Sequence, residues 1–528
     1  MAPPDSHTLS PAPLRHLILV LGDQLDRHSQ ALADFDPARD AVWMAEVQEE
    51  ANYVWSHKLR LVYFLAAMRH FRDELRAQGR VVHYHALTPE PVRDRGESLA
   101  AILAQDIQRL RPQKLVLVRP GDFRVLTALT ETAKAAGIPL EMKADRHFLC
   151  TVQEFQELAG SGKQLRQEHF YRRLRRRYGL LMDQQGRPLG GRWNFDQDNR
   201  QAFGHQGPPP IPAPRTFPPD ALTQEVIALV RRRFAHHPGS LDQVVLPVTS
   251  ADAETFLQDF IDKRLPYFGT FEDAMWLGEP FLYHSRLSAP LNLKLLQPRQ
   301  CVEAAVTAYA ELAAPLNSVE AFVRQILGWR EYIRGRYWQN MPAYQDLNFF
   351  DHQGELPACF WDGNTAMRCF RESMAMVLAH GYTHHIHRLM VLGLFALLYG
   401  VHPQKFHAWH LAMYVDAVDW VSLPNTLGMS QYADGGIVGS KPYCASGNYI
   451  RRMSNFCAHC DFDPTQSLGA KACPFTTLYW EFLDRQAERL KSNVRLAYQL
   501  RALAAKRAQP GTLATIRRRA EELRRSLP

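Results

Sequence analysis

The sequence has no long apolar run and few cysteines, and each shortage excludes a class of protein. The longest apolar run, Leu389–Tyr399, is eleven residues long, whereas a membrane-spanning helix needs about 20. The first residues lack the basic segment followed by an apolar segment that marks a secretory signal. Eight cysteines in 528 residues do not form the dense disulfide framework of a secreted domain. We therefore expect a cytoplasmic protein without a membrane partner.

The overall composition is that of an ordinary globular protein with an excess of positive charge. The chain has 46% hydrophobic and 22% charged residues, with a formal net charge of +8. This charge is compatible with a polyanionic partner but does not establish one. A chain of 528 residues is too long for one core and predicts two or three domains.

The N-terminal third alternates between strand-like and helix-like segments after a loose segment over residues 1–14. HLILVLG, AVWMAEV, RVVHYHAL, KLVLVRP and IPLEM read as strands, and amphipathic stretches separate them. Continuous β-branched runs separated by helices predict a parallel sheet covered on both faces. We therefore predict a Rossmann-like α/β domain over residues 15–147.

The glycine fingerprint of dinucleotide-binding folds is missing after the first predicted strand. The turn there reads Gly22-Asp23-Gln24-Leu25, so ordinary dinucleotide binding is not supported. Asp23 either caps the residues that follow or lines a ligand site, because such sheets bind ligands at the carboxyl ends of their strands.

A connector over residues 148–250 is strongly basic and ends in a stiff spacer. HFYRRLRRRYGL places five arginines among tyrosines, on a helix that is either a solvated face or a nucleic-acid contact. The GGRWNFDQDNR loop follows it, and the proline-rich residues 207–212 predict an extended spacer. Residues 251–500 read as helical throughout. We expect the basic tail over residues 501–528 to be a helix with a solvated face.

Four cysteines have the spacing of a metal site. Cys457 and Cys460 form a C-x2-C pair, and Cys473 lies directly before a proline. Cys369, at the start of a predicted long helix, would have to supply the fourth thiolate. This spacing leaves a four-cysteine zinc site and an iron–sulfur cluster both open. The other cysteines read as buried apolar residues; they are Cys150, Cys301, Cys359 and Cys444.

Two further segments contain polar residues in patterns that allow more than one interpretation. His384, His385 and His387 are predicted to lie on one helix, with His380 one turn earlier, but no carboxylate completes a metal site. Ser285 and Ser288 flank a predicted helix start. That start could bind a phosphate or could be an ordinary N-cap.

Several long motifs resemble those of one family. THHIHRLM, LPNTLGMSQYADGG, KPYCASGNYI and the FCAHC…ACPF spacing are similar to the iron–sulfur bacterial cryptochrome/photolyase group, whose studied members are prokaryotic (6-4) photolyases. The resemblance covers residues from about 17 to about 496. It implies an α/β Rossmann-like antenna domain followed by an all-α FAD-binding catalytic domain with a four-cysteine iron–sulfur cluster.

The resemblance also implies cofactors and their ligands. It assigns a 4Fe–4S cluster to Cys369, Cys457, Cys460 and Cys473. It assigns the light-harvesting chromophore 6,7-dimethyl-8-ribityllumazine to Asp23, Gln24 and Glu46. It assigns FAD to eleven positions, which are Tyr267, Ser285, Arg286, Leu287, Ser288, Asn292, Gln325, Trp329, Arg330, Asp416 and Ser422.

The same resemblance assigns residues to the reaction itself. His384 and His385 would donate and orient a proton at the lesion, with Tyr443 beside them, and Trp361 and Trp409 would transfer electrons. The expected function is light-driven repair of pyrimidine (6-4) pyrimidone photoproducts in UV-damaged DNA. Excited reduced FAD would supply the electron, and we expect a monomer. The alternatives are a cryptochrome-like blue-light photoreceptor and a non-catalytic iron–sulfur protein that binds nucleic acid.

Three positions depart from the pattern of the relatives. Many relatives have asparagine at the position of Ser422, and close relatives have an aromatic residue at the position of His410. Relatives outside the group place an acidic residue three positions before Trp329, where this chain has Ile326 with Gln325 beside it. A hydroxyl is a shorter hydrogen-bonding group than an amide, so we expect altered flavin chemistry near Ser422.

Overall fold

The computed structural model describes residues 14–159 and 165–526, so most of the expected loose N-terminal segment lies outside the described residues. Five parallel strands form one sheet in the order β3-β2-β1-β4-β5. This is the order of the first five strands of the Rossmann fold, and the predicted parallel sheet is confirmed. The strands are β1 His16–Leu19, β2 Asp40–Ala45, β3 Val82–His85, β4 Lys114–Val118 and β5 Leu140–Lys143.

Side chains alternate between the two faces of this sheet, and each face is covered by helices. Ile18, Val42 and Val116 point to one face and join the main core of the molecule, which includes the helix Lys58–Ala77. Alternate residues point to the other face and form a separate core with the helices Leu99–Leu110 and Phe123–Ala135; they are Leu17, Leu19, Trp43, Leu115 and Leu117.

The connector is packed against both of its neighbours. It contains the helices Val152–Ala159, Gln167–Tyr178 and Ala221–Arg233. The third helix was not predicted from the sequence, and it packs along Lys58–Ala77. The proline-rich segment is irregular, as expected, but it contacts the helical region, since Tyr283 Oη donates to the Pro209 carbonyl at 2.7 Å.

From residue 250 the described chain is helical, as predicted. Backbone hydrogen bonds join this region to the sheet region, from His57 to the Ala412 carbonyl and from Trp420 to the Gly121 carbonyl, both at 2.9 Å. The longer helices are Ser250–Lys263, Pro298–Ala310, Leu316–Val323, Glu331–Asn340, Arg368–His380, Pro403–Met413, Pro474–Arg485, Ala497–Arg507 and Thr512–Ser526. The shorter helices are Gln48–Asn52, Leu265–Phe268, Ser288–Asn292, Cys359–Asp362, His385–His387, Leu394–Tyr399, Asp419–Leu423, Gly447–Met453 and Ala487–Leu490.

The C-terminal tail corrects one expectation. Its last helix, Thr512–Ser526, does not present only a solvated face, because it packs along Pro474–Arg485 and buries Ile516 and Ala520. Asp484 accepts hydrogen bonds from the arginines of two different tail helices; the donors are Arg507 Nε at 2.9 Å and Arg517 Nε at 2.8 Å. The apolar residues of this last helix therefore form a stripe that is buried against the neighbouring helix.

No helix in the described part of the chain is both long enough and apolar enough to cross a membrane.

Candidate functional site

A cavity of about 910 Å³ lies within the helical region. Three π-helical segments contribute to its wall, and each continues from an α-helical segment: Arg324–Arg330, Arg388–Gly393 and Pro424–Ser430. Wide helical turns of this kind occur frequently at functional sites. The volume is in the range of cavities that bind large cofactors or drug-sized ligands.

The cavity brings together ten of the eleven positions predicted to hold FAD. They are Ser285, Arg286, Leu287, Ser288, Asn292, Gln325, Trp329, Arg330, Asp416 and Ser422. Tyr267 is the exception. It is not part of the cavity lining; its side chain is 41% exposed and its ring packs on Tyr283 at 5.0 Å.

Asp416 is held by a dense set of hydrogen bonds. Arg388 donates to both carboxylate oxygens, at 3.0 and 3.1 Å. Ser288 Oγ also donates to this carboxylate, at 2.6 Å, and Asn292 Nδ2 donates to the Asp416 carbonyl at 2.8 Å. The helix that Ser288 begins is only five residues long. Ser288 therefore fixes Asp416, and this helix start has no side-chain cap.

Several polar atoms of the cavity-lining residues have no partner among the described residues. They include Ser422 Oγ, Arg330 Nε, Arg286 Nε and His410 Nδ1. Burying such a group without a hydrogen bond is costly, so these atoms indicate where a polar ligand would bind. The other nitrogens of Arg330 are engaged with Glu331 Oε1 at 3.2 Å and His147 Nδ1 at 3.0 Å.

The histidine segment is not one continuous helix, which corrects the prediction. The helix Arg368–His380 ends at Gly381 in a left-handed conformation, and a new helix begins at His385. His384 precedes that helix with an extended ψ of 164°. His385 lines the cavity and is exposed to it, whereas His384 is buried behind the wall.

A third imidazole, which the sequence reasoning missed, lies on the cavity wall. His284 lines the cavity and stacks on His384 with ring centroids 4.2 Å apart and an interplanar angle of 9°. His384 in turn packs edge-on against His387 at 4.4 Å. The sequence contained a signal for His284, because it directly precedes Ser285 in the segment assigned to flavin binding.

The imidazoles are neutral near pH 7 in this structure. Burial lowers the pKa of His385 to about 4, with a smaller effect of nearby Arg388. Burial also lowers the pKa of His284 to about 3, helped by the neighbouring His387 and His385. Both pKa values therefore lie below the ordinary imidazole pKa of about 6.5.

Charged and aromatic residues line another part of the cavity. Tyr443 lines it, as predicted, and burial raises its pKa. Arg200 also lines it and donates from Nε to Glu272 Oε1 at 3.2 Å. Burial raises the pKa of Glu272 to about 7. Sequence reasoning did not single out Arg200 or Glu272, because they come from segments 72 residues apart.

The basic connector helix is ordered by an aromatic residue of the loop that follows it. The Trp193 ring lies beneath Arg175 and Arg176, whose guanidinium carbons are 5.2 and 4.7 Å from its centroid. Arg175 is buried and donates to the Leu181 carbonyl at 2.7 Å, so its role is structural. Arg173 and Arg176 are exposed, and they remain available to a polyanion.

The four predicted metal-binding cysteines line one small cavity. Cys369, Cys457, Cys460 and Cys473 share it with apolar side chains and Gly447. A Cβ on Gly447 would lie 2.9 Å from Cys473 Sγ, so only glycine fits at this wall. In the described residues, no group of three or more His, Cys, Asp or Glu side chains is placed to hold a single metal ion.

A second ligand-sized cavity, of about 140 Å³, lies where the sheet region meets the helical region. Asp23 and Glu46 line it, as predicted, and so do Asp122 and Asp419, which sequence reasoning missed. Gln24 does not line it; its Nε2 donates to the carbonyls of residues 118 and 119, both at 3.0 Å.

The carboxylates of this second cavity are largely occupied by protein donors. Glu46 accepts from Arg69 Nε at 2.7 Å and from the Leu87 backbone at 2.9 Å. Asp23 accepts from the Gly121 backbone at 3.0 Å. Burial raises the pKa of Asp122 to about 7, helped by nearby Asp419. Asp122 can therefore carry a proton at neutral pH and donate a hydrogen bond to a ligand.

The two predicted electron-transfer tryptophans lie outside the lining of the large cavity. Trp409 is buried, and its Nε1 donates to the Phe360 carbonyl at 2.7 Å. Trp361 is half-buried and packs on Trp55 at 5.1 Å.

Comparison with known proteins identifies the family of this chain. A family model described as "Deoxyribodipyrimidine photo-lyase-related protein" matches residues 18–245. A (6-4) photolyase of Agrobacterium fabrum (strain C58) is 45% identical over 486 residues, which cover 92% of this chain and 94% of that protein.

Solved structures of lower identity share the fold. A bacterial class III photolyase from Agrobacterium tumefaciens superposes with a TM-score of 0.58 at 16% identity, covering 92% of this chain and 100% of that chain. A cryptochrome from Synechocystis sp. PCC6803 superposes with a TM-score of 0.52 at 14% identity, covering 84% and 89%. The extent and identity of its similarity to the (6-4) photolyase of Agrobacterium fabrum show that this chain belongs to the cryptochrome/photolyase family.

Proposed function

We propose that this protein repairs pyrimidine (6-4) pyrimidone photoproducts in DNA with light. The observation that carries the proposal is the cavity of about 910 Å³, in which ten predicted flavin positions lie together with His385 and Tyr443. The substrate named for the relative that is 45% identical supports the same reaction. The alternative functions differ in what this cavity does with absorbed light.

The hydrogen-bonding groups of the cavity-lining residues fit those of FAD. Ser422 Oγ, Arg330 Nε and Arg286 Nε are buried polar atoms without partners among the described residues. They would hold the isoalloxazine and phosphate groups together with Gln325 and Asn292. FAD supplies the light-driven electron when it is bound. The residues around it bind it, exclude water and fix the carboxylate of Asp416 beside it.

The polar part of the cavity would receive the flipped lesion. Flipping a base costs a few kcal/mol, and a damaged, poorly stacked base costs less. Neutral His385 carries one N–H donor and one nitrogen acceptor, so in this form it can hydrogen-bond to the lesion oxygen, and it can donate a proton only once it is itself protonated. Its low pKa means that the proton is shared through a hydrogen bond unless a bound anion raises that pKa.

DNA affinity would come from the basic surface outside the cavity. Arg173 and Arg176 are exposed on the connector helix. Phosphate contacts of this kind are independent of sequence and weaken with salt. We propose UV-damaged DNA as the partner and a monomer as the acting species, which light scattering can check.

For the four cysteines we propose a 4Fe–4S cluster. A zinc ion needs four sulfurs about 2.3 Å from one point. The four thiols line one cavity, and the resemblance to the iron–sulfur group favours a cluster over zinc. Bound to four thiolates, a cluster would join the helix Arg368–His380 to the loop around residues 457–473 and stabilise the fold.

For the cavity at the sheet we propose 6,7-dimethyl-8-ribityllumazine as a light-harvesting chromophore. Asp23 and Glu46 line the cavity, and Asp122 and Asp419 add polar atoms. Because Glu46 is bonded to Arg69 and Leu87, we assign it to shaping the cavity. Asp122 and Asp419 are bonded in the same way, to Arg124 and to Tyr337 and His407, so they too shape the cavity.

The test uses the purified protein with its bound chromophores and an oligonucleotide carrying one (6-4) photoproduct. Blue light should restore the intact bases, while a dark sample and an oligonucleotide with a cyclobutane dimer should stay unrepaired. Flavin reduction without repair would favour a photoreceptor. DNA binding without bound flavin would favour a non-catalytic nucleic-acid-binding protein.

A further inference from the structure

A continuous series of aromatic side chains leads from the wall of the large cavity toward solvent. Phe406 lines the cavity. Trp409 stacks behind it, with ring centroids 5.6 Å apart and an interplanar angle of 23°. Phe360 follows at 5.1 Å from Trp409, nearly perpendicular to it at 77°. The cavity wall is therefore in direct ring contact with an indole that the cavity itself does not expose.

Backbone bonds continue the series beyond Trp409. Its Nε1 donates to the Phe360 carbonyl at 2.7 Å, and that carbonyl carbon is bonded to the backbone nitrogen of Trp361. The Trp361 ring then packs on Trp55, with centroids 5.1 Å apart and an interplanar angle of 48°. A hydrogen bond and a peptide bond thus link the indoles of Trp409 and Trp361, and a ring contact links Trp361 to Trp55.

Trp55 brings the series to the protein surface. It lies just after the helix Gln48–Asn52 of the sheet region, and its side chain is 48% exposed. Half of this large apolar side chain is in water, so packing explains only part of its position. Its contact with Trp361 also crosses from the sheet region to the helical region.

A second route for an electron between Trp409 and the protein surface, through position 410, is blocked. His410 follows Trp409 in the chain, at the position where close relatives have an aromatic residue. Its side chain is only 7% exposed, lines the cavity and packs on Tyr414 at 4.6 Å. An imidazole is also much harder to oxidise than an indole. Position 410 cannot pass an oxidising equivalent to solvent.

We propose that Trp55 is the solvent-exposed end of an electron path, Trp55–Trp361–Trp409, through which oxidised flavin is reduced in the light. The proposal rests on the proposed flavin site. With flavin bound and excited by light, Trp409 would give up one electron to it, Trp361 would return one to Trp409, and Trp55 would return one to Trp361. The oxidised Trp55 indole loses its N–H proton to water. A thiol in solution then gives it one electron and one proton, and two oxidised thiols pair as a disulfide.

The test compares Trp55→Phe with wild type and with Trp480→Phe, a half-buried tryptophan of the helix Pro474–Arg485 outside this series. Flavin content is measured first. The rate of flavin reduction per bound flavin is then followed by absorbance under blue light with dithiothreitol and without DNA. We expect Trp55→Phe to reduce its flavin several-fold more slowly and Trp480→Phe to match wild type. A wild-type rate in Trp55→Phe overturns the proposal.

A second measurement on the wild-type protein decides the matter even if Trp55→Phe binds flavin poorly. The protein is illuminated in air without thiol, and its peptides are analysed by mass spectrometry for oxygen adducts on tryptophan. Adducts concentrated on Trp55 are expected, and adducts on Trp361 with Trp55 unmodified overturn the proposal. Neither measurement uses a lesion, so a failure of repair and a failure of this path are distinguishable.

Discussion

At the scale of single residues, the histidines of the cavity divide into one that faces it and one that supports the wall. His385 is exposed to the cavity, whereas His384 is buried between His284 and His387. The sequence motif treats the first two as an adjacent pair. Their separation follows from the helix break at Gly381, which turns His384 out of the helical register.

Replacing each histidine should therefore have different effects. We expect His385→Ala to keep its flavin and lose repair by at least about a hundredfold, the lower range for removing a general acid or base. We expect His384→Phe, which preserves the stacking on His284, to keep much of its repair. The measurement is repair yield per absorbed photon at saturating lesion. Wild-type yield in His385→Ala would show that His385 is not the residue that transfers the proton.

At the scale of elements, the sequence predicted regular segments and missed irregular ones. The five strands were predictable because continuous β-branched runs are separated by amphipathic helical stretches. The three π-helical segments of the cavity wall were not predictable, because their extra residue per turn leaves no mark in the apolar pattern. The helix Ala221–Arg233 was missed because the proline-rich stretch before it suggested a spacer.

The close packing between two π-helical segments of the cavity wall can be tested at Gly393. A Cβ there would lie 2.1 Å from Ser430 Oγ and 2.6 Å from the Arg388 carbonyl. Gly393→Ala should force the segments Arg388–Gly393 and Pro424–Ser430 apart and destabilise the fold by about 1–3 kcal/mol. Flavin occupancy after purification and denaturant midpoints measure the effect.

Gly204 offers a matched control for this change, since nothing lies within 4 Å of a Cβ there. Gly204→Ala should behave like wild type. Equal flavin occupancy in Gly393→Ala and Gly204→Ala would mean that the wall can relax and that the π-helical packing is not required.

At the scale of the whole molecule, buried neutral histidines lie where different regions of the chain contact each other. His57 in the sheet region contacts the Leu378 carbonyl at 3.0 Å, and burial lowers its pKa to about 4. His352 lies beneath the C-terminal helices, and burial together with nearby Arg485 lowers its pKa to about 3. The domain boundaries predicted at residues 147 and 250 remain predictions, because one main core runs through all of these segments.

These histidines predict how stability depends on pH. Between about pH 6.5 and the folded pKa, the unfolded chain binds protons that the folded chain does not, so the free energy of unfolding falls as pH falls. Each pKa unit of difference contributes about 1.4 kcal/mol. The thermal midpoint should be lower at pH 5 than at pH 7.5. His352→Phe should reduce this difference between the midpoints at the two pH values. His205→Phe, at an exposed position, should leave it unchanged. An unchanged difference in His352→Phe would show that His352 does not contribute to the pH dependence of stability.

The last prediction concerns the four cysteines, which connect segments about 90 residues apart in the chain. Cys369 begins the helix Arg368–His380, and Cys473 directly precedes the helix Pro474–Arg485, against which the C-terminal tail packs. Because the binding free energy of a structural metal site is partly folding free energy, Cys369→Ala should lose its iron and yield little flavin-bound protein. Cys301→Ala removes a buried cysteine outside this cavity and should keep both. Iron per chain and absorbance at the violet edge are the measurements. Wild-type iron content in Cys369→Ala would show that this thiol is not a ligand.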